Sequence, residues 1–230
     1  MAVRDTVQDI IINDFETGGK SCIKNPATEL SLIAIRGNDF TEIARHHVVF
    51  LPYDVNLVYE QEALDITNMS MEYIHEHGVE IKQALKGIYD FLVKVSAGKS
   101  AGFLPMLSMQ NGGFDIGFWQ QIFSYGKYNL SKVVAGYKDF YGNFQPTIID
   151  SLPLARSYWA KDAEVTDFKQ GKISDRLNIE LVDAHRAVGD CLALREIVAF
   201  FLTSMRNGGN GVQSESQQAV KIRDVEGYKI

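Results

Sequence analysis

The sequence predicts an α/β protein in which a mixed sheet is flanked by helices, and the order of its segments leads to this fold class. Strands are predicted at residues 7–15, 28–36, 46–51, 103–109 and 147–150. The first three follow one another directly, whereas the last two alternate with segments whose apolar residues recur at helical spacing. Strands that come first and then alternate with helices are typical of a mixed sheet with helices packed on it.

Helical periodicity is strongest between residues 79 and 95, where apolar residues recur at steps of three and four. Helices are predicted at residues 61–66, 70–75, 79–95, 114–123, 152–159 and 184–201. Residues 206–230 are rich in Gly, Asn, Ser and Gln and hold few large apolar residues. They predict a flexible C-terminal tail behind a folded domain of residues 1–205.

Composition excludes several classes of protein. The net charge of −6 argues against a long electrostatic footprint on duplex nucleic acid, although a local patch can differ from the total. Two cysteines, Cys22 and Cys191, are too few for a disulfide framework and favour a reducing compartment. Neither an apolar signal core nor a membrane-spanning stretch is evident, so we expect a cytoplasmic protein without a membrane partner.

Two acids stand at the end of the first predicted strand. Ile10-Ile11-Ile12 suits a buried strand, and Asp14 and Glu16 follow it before Gly18-Gly19 ends it. Because alternate residues of a strand share a face, both carboxylates can point at one spot. Two oxygen ligands there suit Mg²⁺ or Mn²⁺. A pair of solvated acids at a strand end is the plainer interpretation, and the motif alone does not decide between them.

Three further polar residues stand where apolar neighbours are expected. Asp115 follows Asn111-Gly112-Gly113 at a strand-to-helix junction, where the backbone can approach a ligand closely. Asp190 interrupts the apolar side of the last predicted helix. His185 precedes it by five residues, which suits a metal ligand and a base that approach one centre from different angles. Taken alone, His185 is better explained by local hydrogen bonds at a helix start.

These residues together resemble the three motifs of the DEDDh family of exonucleases. Asp14-Phe15-Glu16 matches the first motif, D-x-E, and Asn111-Gly112-Gly113-Phe114-Asp115 matches the second, N-x-x-F-D. His185-Arg186-Ala187-Val188-Gly189-Asp190 matches the third, H-x-A-x-x-D. Within the family the likeness is greatest to the epsilon proofreading subunit of bacterial DNA polymerase III. It extends over roughly residues 7–203 and includes the segments 63–68 and 149–152.

The resemblance implies an RNase H-like fold and a 3′→5′ exonuclease with two Mg²⁺ or Mn²⁺ ions. By motif, Asp14 would bridge both metals, Glu16 and Asp190 would complete one site, and Asp115 would help to hold the other. His185 would accept the proton of the attacking water. Two such ions activate a nucleophile and offset charge on the attacking and leaving oxygens, and a histidine base contributes about 10²–10⁴-fold.

The resemblance also implies a set of substrate-binding residues. They are Phe15, Thr17, Gly18, Asn68, Asn111 and Phe114. Gly18 stands where the family usually has a second threonine, so we expect backbone amides near Thr17 and Gly18 to hold the terminal 3′-OH. Phe15 and Phe114 could stack on terminal bases, although core packing explains each of them equally well.

Aromatic residues and lysines are interleaved between residues 125 and 144. This mixture could form a path for a single strand. A packed helix with a lysine-rich solvent face is the simpler alternative, and we predict it here.

The favoured function is therefore metal-dependent hydrolysis at DNA 3′ ends, single-stranded or frayed, with proofreading as one setting and a DNA polymerase as a candidate partner. Trimming of RNA 3′ ends or hydrolysis of short oligonucleotides is the alternative, because the same five residues serve ribonucleases of the family. A non-catalytic replication adaptor fits least well, since a scaffold has no use for a set of buried acids.

Overall fold

The protein is described here by a computed structural model that covers residues 5–181 and 186–207. Its main sheet has five strands in the order β3-β2-β1-β4-β7. These strands are β1 (Ile10–Thr17), β2 (Ala27–Ile35), β3 (Glu42–Val49), β4 (Met106–Met109) and β7 (Ile148–Asp150). β1 runs antiparallel to β2 and parallel to β4, so the sheet is mixed. A separate hairpin consists of β5 (Gly136–Lys138) and β6 (Phe144–Pro146).

Seven helices accompany the strands in the described part of the chain. They are α1 (Gln61–Ile66), α2 (Met71–His77), α3 (Ile81–Ser96), α4 (Gly112–Ser124), α5 (Ser151–Tyr158), α6 (Gln170–Leu177) and α7 (Ala187–Arg206). None of the described helices is long and apolar enough to cross a bilayer.

Successive side chains of β1 point to opposite faces of the sheet and pack into two different cores. Ile11 and Phe15 join the core that α3 and α4 form on one face of the sheet. Ile10 and Ile12 join the core under α7 on the other face. Since Asp14 and Glu16 have the parity of Ile10 and Ile12, they lie on the α7 face, beyond the point where the apolar residues end.

The predicted mixed five-stranded sheet flanked by helices is confirmed. The bounds of its strands shift by up to four residues, because propensity alone does not locate where pairing stops. The predicted packed helix within residues 125–144 is wrong. That segment forms a short 3₁₀ turn and the β5–β6 hairpin, whose Asp139 carboxylate accepts hydrogen bonds from the amides of Tyr141 and Asn143. α6 was not predicted. The tail lies almost entirely outside the described residues, so its flexibility stays a prediction.

Candidate metal centre

Three carboxylates converge at the end of β1. Asp14 and Glu16 come from the strand and Asp190 from the first turn of α7, and one oxygen of each lies within 4.8 Å of the others. Asp14 and Glu16 lie on the same face of β1, as predicted. α7 packs on this face of β1 and β2, so both carboxylates meet Asp190 there. The sequence thus places two acids on one face, and the fold adds the third.

Asp190 is held by the backbone of its own helix and by α6. Its amide donates to the carbonyl oxygen of Arg186 at 3.1 Å, which is the first helical hydrogen bond of α7. The side-chain amide of Gln170 donates to the carbonyl oxygen of Asp190 at 2.8 Å and lies 3.4 Å from its carboxylate. Gln170, at the start of the unpredicted helix α6, is therefore a supporting residue that sequence reasoning missed.

Asp115 approaches the same spot from the other side of β1. It is 4% exposed and lies in the first turn of α4, and its carboxylate accepts a hydrogen bond from the backbone amide of Phe15, between Asp14 and Glu16. α4 begins directly after Asn111, whose φ of 58° turns the chain from β4 into the helix. Asp150 fixes this turn, because its carboxylate accepts from the amides of Asn111 at 3.0 Å and Gly112 at 2.9 Å.

The acids raise one another's pKa. Burial, and then the charges of Glu16 and Asp115, raise the pKa of Asp14 well above its usual range. Burial, followed by the charge of Asp190, raises the pKa of Glu16 to about 8. Burial also raises the pKa of Asp115 to about 7, against the hydrogen bonds from backbone amides. Without a cation, this cluster therefore favours its protonated forms near neutral pH.

A fifth acid, Glu29 of β2, lies directly opposite Glu16 in the antiparallel register, yet its charge is already neutralised. Glu29 is fully buried and accepts a two-pronged contact from the guanidinium of Arg186, at 3.0 and 3.2 Å. His47 Nε2 lies 2.5 Å from the same carboxylate. Burial would raise the pKa of Glu29, but the hydrogen bonds of His47 and Arg186 lower it below its usual value.

Arg186 links this acid to a helix on the periphery. Its guanidinium also donates to the Tyr73 hydroxyl at 2.8 Å and lies 4.9 Å from the centre of the Tyr73 ring. Arg186, the residue directly before α7, thus contacts both β2 and α2 through its side chain. Neither Glu29 nor Arg186 was among the predicted site residues.

The Phe15 ring packs within the core. It is 5% exposed and lies 5.7 Å from the Trp119 ring and 6.2 Å from the Phe118 ring. A contact of Phe15 with substrate stays a prediction. Phe114 is partly buried and packs 5.0 Å from Phe118, so one side of its ring is in the core.

The backbone near Gly18 differs from the expectation. The Gly18 amide donates to the Pro26 carbonyl oxygen at 2.8 Å, so it is not free to hold a 3′-OH. The carbonyl oxygen of Gly18 accepts from the amide of Glu60, just before α1. The Thr17 hydroxyl donates to the carbonyl oxygen of Gly19 at 2.8 Å. The Gly18 amide and the Thr17 hydroxyl thus have partners within the protein, and a contact of either residue with substrate stays a prediction.

Asn68 and Asn111 are exposed and adopt left-handed backbone conformations, with φ of 52° and 58°. Each therefore marks a turn, at the end of α1 and at the start of α4. His185 lies outside the described residues, and its role stays a prediction.

The donor set fits a hard divalent cation. Carboxylate oxygens are the ligands that Mg²⁺ and Mn²⁺ prefer, and three of them are grouped within 4.8 Å. Burial and the charges of neighbouring acids raise the pKa values of Asp14 and Glu16, and the charge of Arg186 offsets this only in part at Glu16. Glu29, by contrast, is already paired with the guanidinium of Arg186 and is not a candidate ligand.

No protein-family model matches the chain, and no curated protein matches it. Solved structures do match. E. coli exonuclease I in complex with a dT13 oligonucleotide is 17% identical, with a TM-score of 0.66 over 87% of this chain and 42% of that one. Product-bound exonuclease I gives 16% identity and a TM-score of 0.67 over 87% and 44% of the chains. Exonuclease I from Methylocaldum szegediense gives 16% identity and a TM-score of 0.62 over 86% and 40%.

The chain thus spans less than half the length of these exonuclease I structures. At this level of identity the likeness shows a shared fold, and it confirms the predicted RNase H-like class. The narrower likeness to epsilon subunits stays a prediction from the motifs.

Proposed function

We propose that this chain is a divalent-metal-dependent 3′→5′ exonuclease that releases nucleoside monophosphates from DNA 3′ ends. The observation that carries the proposal is the grouping of Asp14, Glu16 and Asp190 within 4.8 Å, with Asp115 coupled to Asp14 through its charge. A cluster of four acids, two of them buried and two half-buried, is costly for a fold unless a cation offsets its charge.

Two independent lines support the reaction and the substrate. The D-x-E, N-x-x-F-D and H-x-A-x-x-D residues occur in order, and four of the five acidic or basic members lie in described parts of one site. The similar structures include exonuclease I bound to dT13 and to dA16 oligonucleotides, which favours single-stranded DNA as the substrate class. Proofreading and a polymerase partner remain predictions.

Asp14, Glu16 and Asp190 would hold one cation, and Asp14 together with Asp115 would hold a second. When bound, such cations lower the pKa of a coordinated water and offset charge on phosphodiester oxygens. His185 would accept the proton from the attacking water, which is the task of a base that titrates near neutrality. The Glu29–Arg186 pair would keep α7, and with it Asp190, against the end of β1.

The variant Asp14→Ala tests the proposal. We expect it to abolish the Mg²⁺- or Mn²⁺-dependent shortening of a 5′-labelled single-stranded DNA, because it removes the acid shared by both cation positions. Asp175→Ala, which truncates a mostly exposed carboxyl of α6, is the matched control and should retain wild-type rates. Equal rates for Asp14→Ala and wild type would refute the assignment.

The nucleic acid is decided by competition. DNA and RNA oligomers of one sequence, with distinguishable 5′ labels, are mixed in equal amounts and digested together. We expect the DNA to be shortened faster. Faster loss of the RNA would replace the DNA assignment by a 3′→5′ exoribonuclease while leaving the metal centre intact.

A further inference from the structure

The aromatic and lysine-rich segment 125–144 is exposed to an unusual degree. Tyr137, Phe140 and Tyr141 on the β5–β6 hairpin are 63%, 95% and 84% exposed. Large aromatic side chains contribute most to stability or binding when they are removed from water. Three exposed ones on one hairpin therefore mark a surface that binds a ligand or a partner. The proposed metal centre does not use them.

A groove of about 400 Å³ lies between α4 and this hairpin. It starts at Ile116, the residue after Asp115, and continues along α4 to Ser124, with Phe144 and Pro146 of β6 on its other side. Aromatic side chains line it: Phe123, Tyr128 and Phe144 are half-buried and offer ring surface, whereas Trp119 is 2% exposed and belongs to the core. The groove therefore connects the helix that bears Asp115 with the exposed hairpin.

Lysines surround these aromatic walls. Lys127 precedes Tyr128, and Lys138 is directly opposite Phe144 in the hairpin register, so its side chain is on the groove side of the hairpin. Lys132 belongs to the 3₁₀ turn beside the groove. All three are exposed, and within residues 5–181 and 186–207 none has a carboxylate within 4.0 Å. They are free to bind anions.

We propose that this groove binds the nucleotides that precede the 3′-terminal one, an inference that rests on the proposed function. Bases stack on the aromatic walls, and Lys127, Lys132 and Lys138 contact the phosphates. From Asp115 to Phe123 the helix rises about 12 Å, which corresponds to roughly three or four stacked nucleotides. At about 3.4 Å per nucleotide, a dinucleotide is shorter than this length of α4, whereas a 12-mer exceeds it.

Single-stranded nucleic acid fits this surface better than a protein segment does. Aromatic faces accept any base, and unpaired lysines along their edge complement a phosphate backbone. The chain as a whole has a net charge of −6, so this local cationic rim stands out from the surface around it.

The test compares Lys127→Gln/Lys138→Gln with the control Lys161→Gln/Lys172→Gln, whose lysines belong to the α5–α6 layer on the other face of the sheet. Among the described residues Lys172 pairs with Asp175, and both side chains are exposed, so the loss of this pair has little effect on folding. The measurement is kcat and KM for a DNA dinucleotide and for a DNA 12-mer at several salt concentrations and one Mg²⁺ concentration.

For the 12-mer, log(kcat/KM) falls as log[salt] rises. We expect the groove variant to make this negative slope shallower by about 1.4, since each lost phosphate contact removes about 0.7 from its magnitude. This corresponds to a KM roughly 25-fold higher at 0.1 M salt, with kcat unchanged. The dinucleotide and the control variant should behave as wild type.

The two proposals fail in different ways. If wild type cleaves neither substrate, the exonuclease assignment fails. If wild type cleaves both and the groove variant matches the control on the 12-mer at every salt concentration, the nuclease assignment stands and the groove binds something other than the substrate strand.

Discussion

At the scale of single residues, two of the four acids of the centre owe their geometry to one strand, β1, and the charge state of the acids depends on burial and on their neighbours. Asp14 and Glu16 were predictable, because strand alternation requires them to share a face. Glu29 was not. Its place in a polar and apolar alternation suggests a solvated acid, and its partner Arg186 lies 157 residues away in the sequence.

The Glu29–Arg186 pair gives the first prediction at this scale. Arg186→Ala leaves a fully buried carboxylate whose remaining described side-chain partner is the His47 imidazole, so we expect a loss of about 3 kcal/mol in the free energy of unfolding. Urea denaturation measures it. Glu29→Gln/Arg186→Ala should regain part of that loss, because the uncompensated charge is gone. A double variant no more stable than Arg186→Ala would contradict this explanation.

At the scale of elements, Asp150 holds two helices at once. It accepts from the amides of Asn111 and Gly112 at the start of α4 and from the amide of Leu152 at the start of α5. α4 begins at a glycine for a steric reason, because a Cβ on Gly112 would lie 2.9 Å from side-chain atoms of Met109 and Ile148. Asp115 is therefore placed by a turn that tolerates little change.

Asp150→Ala removes both caps. We expect destabilisation by about 2 kcal/mol, since each lost cap costs about 1 kcal/mol. We also expect weaker Mn²⁺ binding, because Asp115 lies in the first turn of α4. Thermal unfolding and Mn²⁺ titration measure the two effects. Asp162→Ala, whose carboxylate accepts from the amide of Glu164 in a surface turn, is the control. Unchanged Mn²⁺ affinity in Asp150→Ala would show that these hydrogen bonds do not position Asp115 for metal binding.

The elements that were mispredicted share a physical cause. Residues 125–144 have apolar residues at no regular period, so the sequence contains no positive signal for the helix that was predicted there. The segment instead contains a turn around Asp139 and Gly142. α6 has only two large apolar residues, Ile173 and Leu177, which is too few for a periodic signal. The long helix α3 and the β-branched start of β1 were found because their patterns are strong.

At the scale of the whole molecule, the acids make stability depend on pH. In the unfolded chain these carboxyls titrate near pH 4, whereas folding raises the pKa of Asp115 to about 7 and of Glu16 to about 8. Between about pH 4 and pH 8 the folded apoprotein binds more protons than the unfolded chain. Its stability therefore falls as pH rises through this window.

We accordingly expect the melting temperature in chelator to fall from pH 5 to pH 8, and Mn²⁺ to restore more stability at pH 8 than at pH 5. Glu16→Gln should flatten the pH dependence, since it removes one of the raised groups. Glu76→Gln, at an exposed carboxyl, serves as the control. A melting temperature that rises over this range, or an equal slope in Glu16→Gln, would contradict the pKa assignment.

The central claim is that the acids at the end of β1 form a metal centre that hydrolyses DNA from its 3′ end. One measurement tests it most directly: digestion of one single-stranded DNA carrying either a 5′ or a 3′ label, with Mg²⁺, with Mn²⁺ and with chelator. We expect a ladder from the 5′-labelled strand, immediate release of labelled mononucleotide from the 3′-labelled strand, and neither product in chelator. Internal cuts, shortening from the 5′ end, or no cleavage with either cation would contradict the claim.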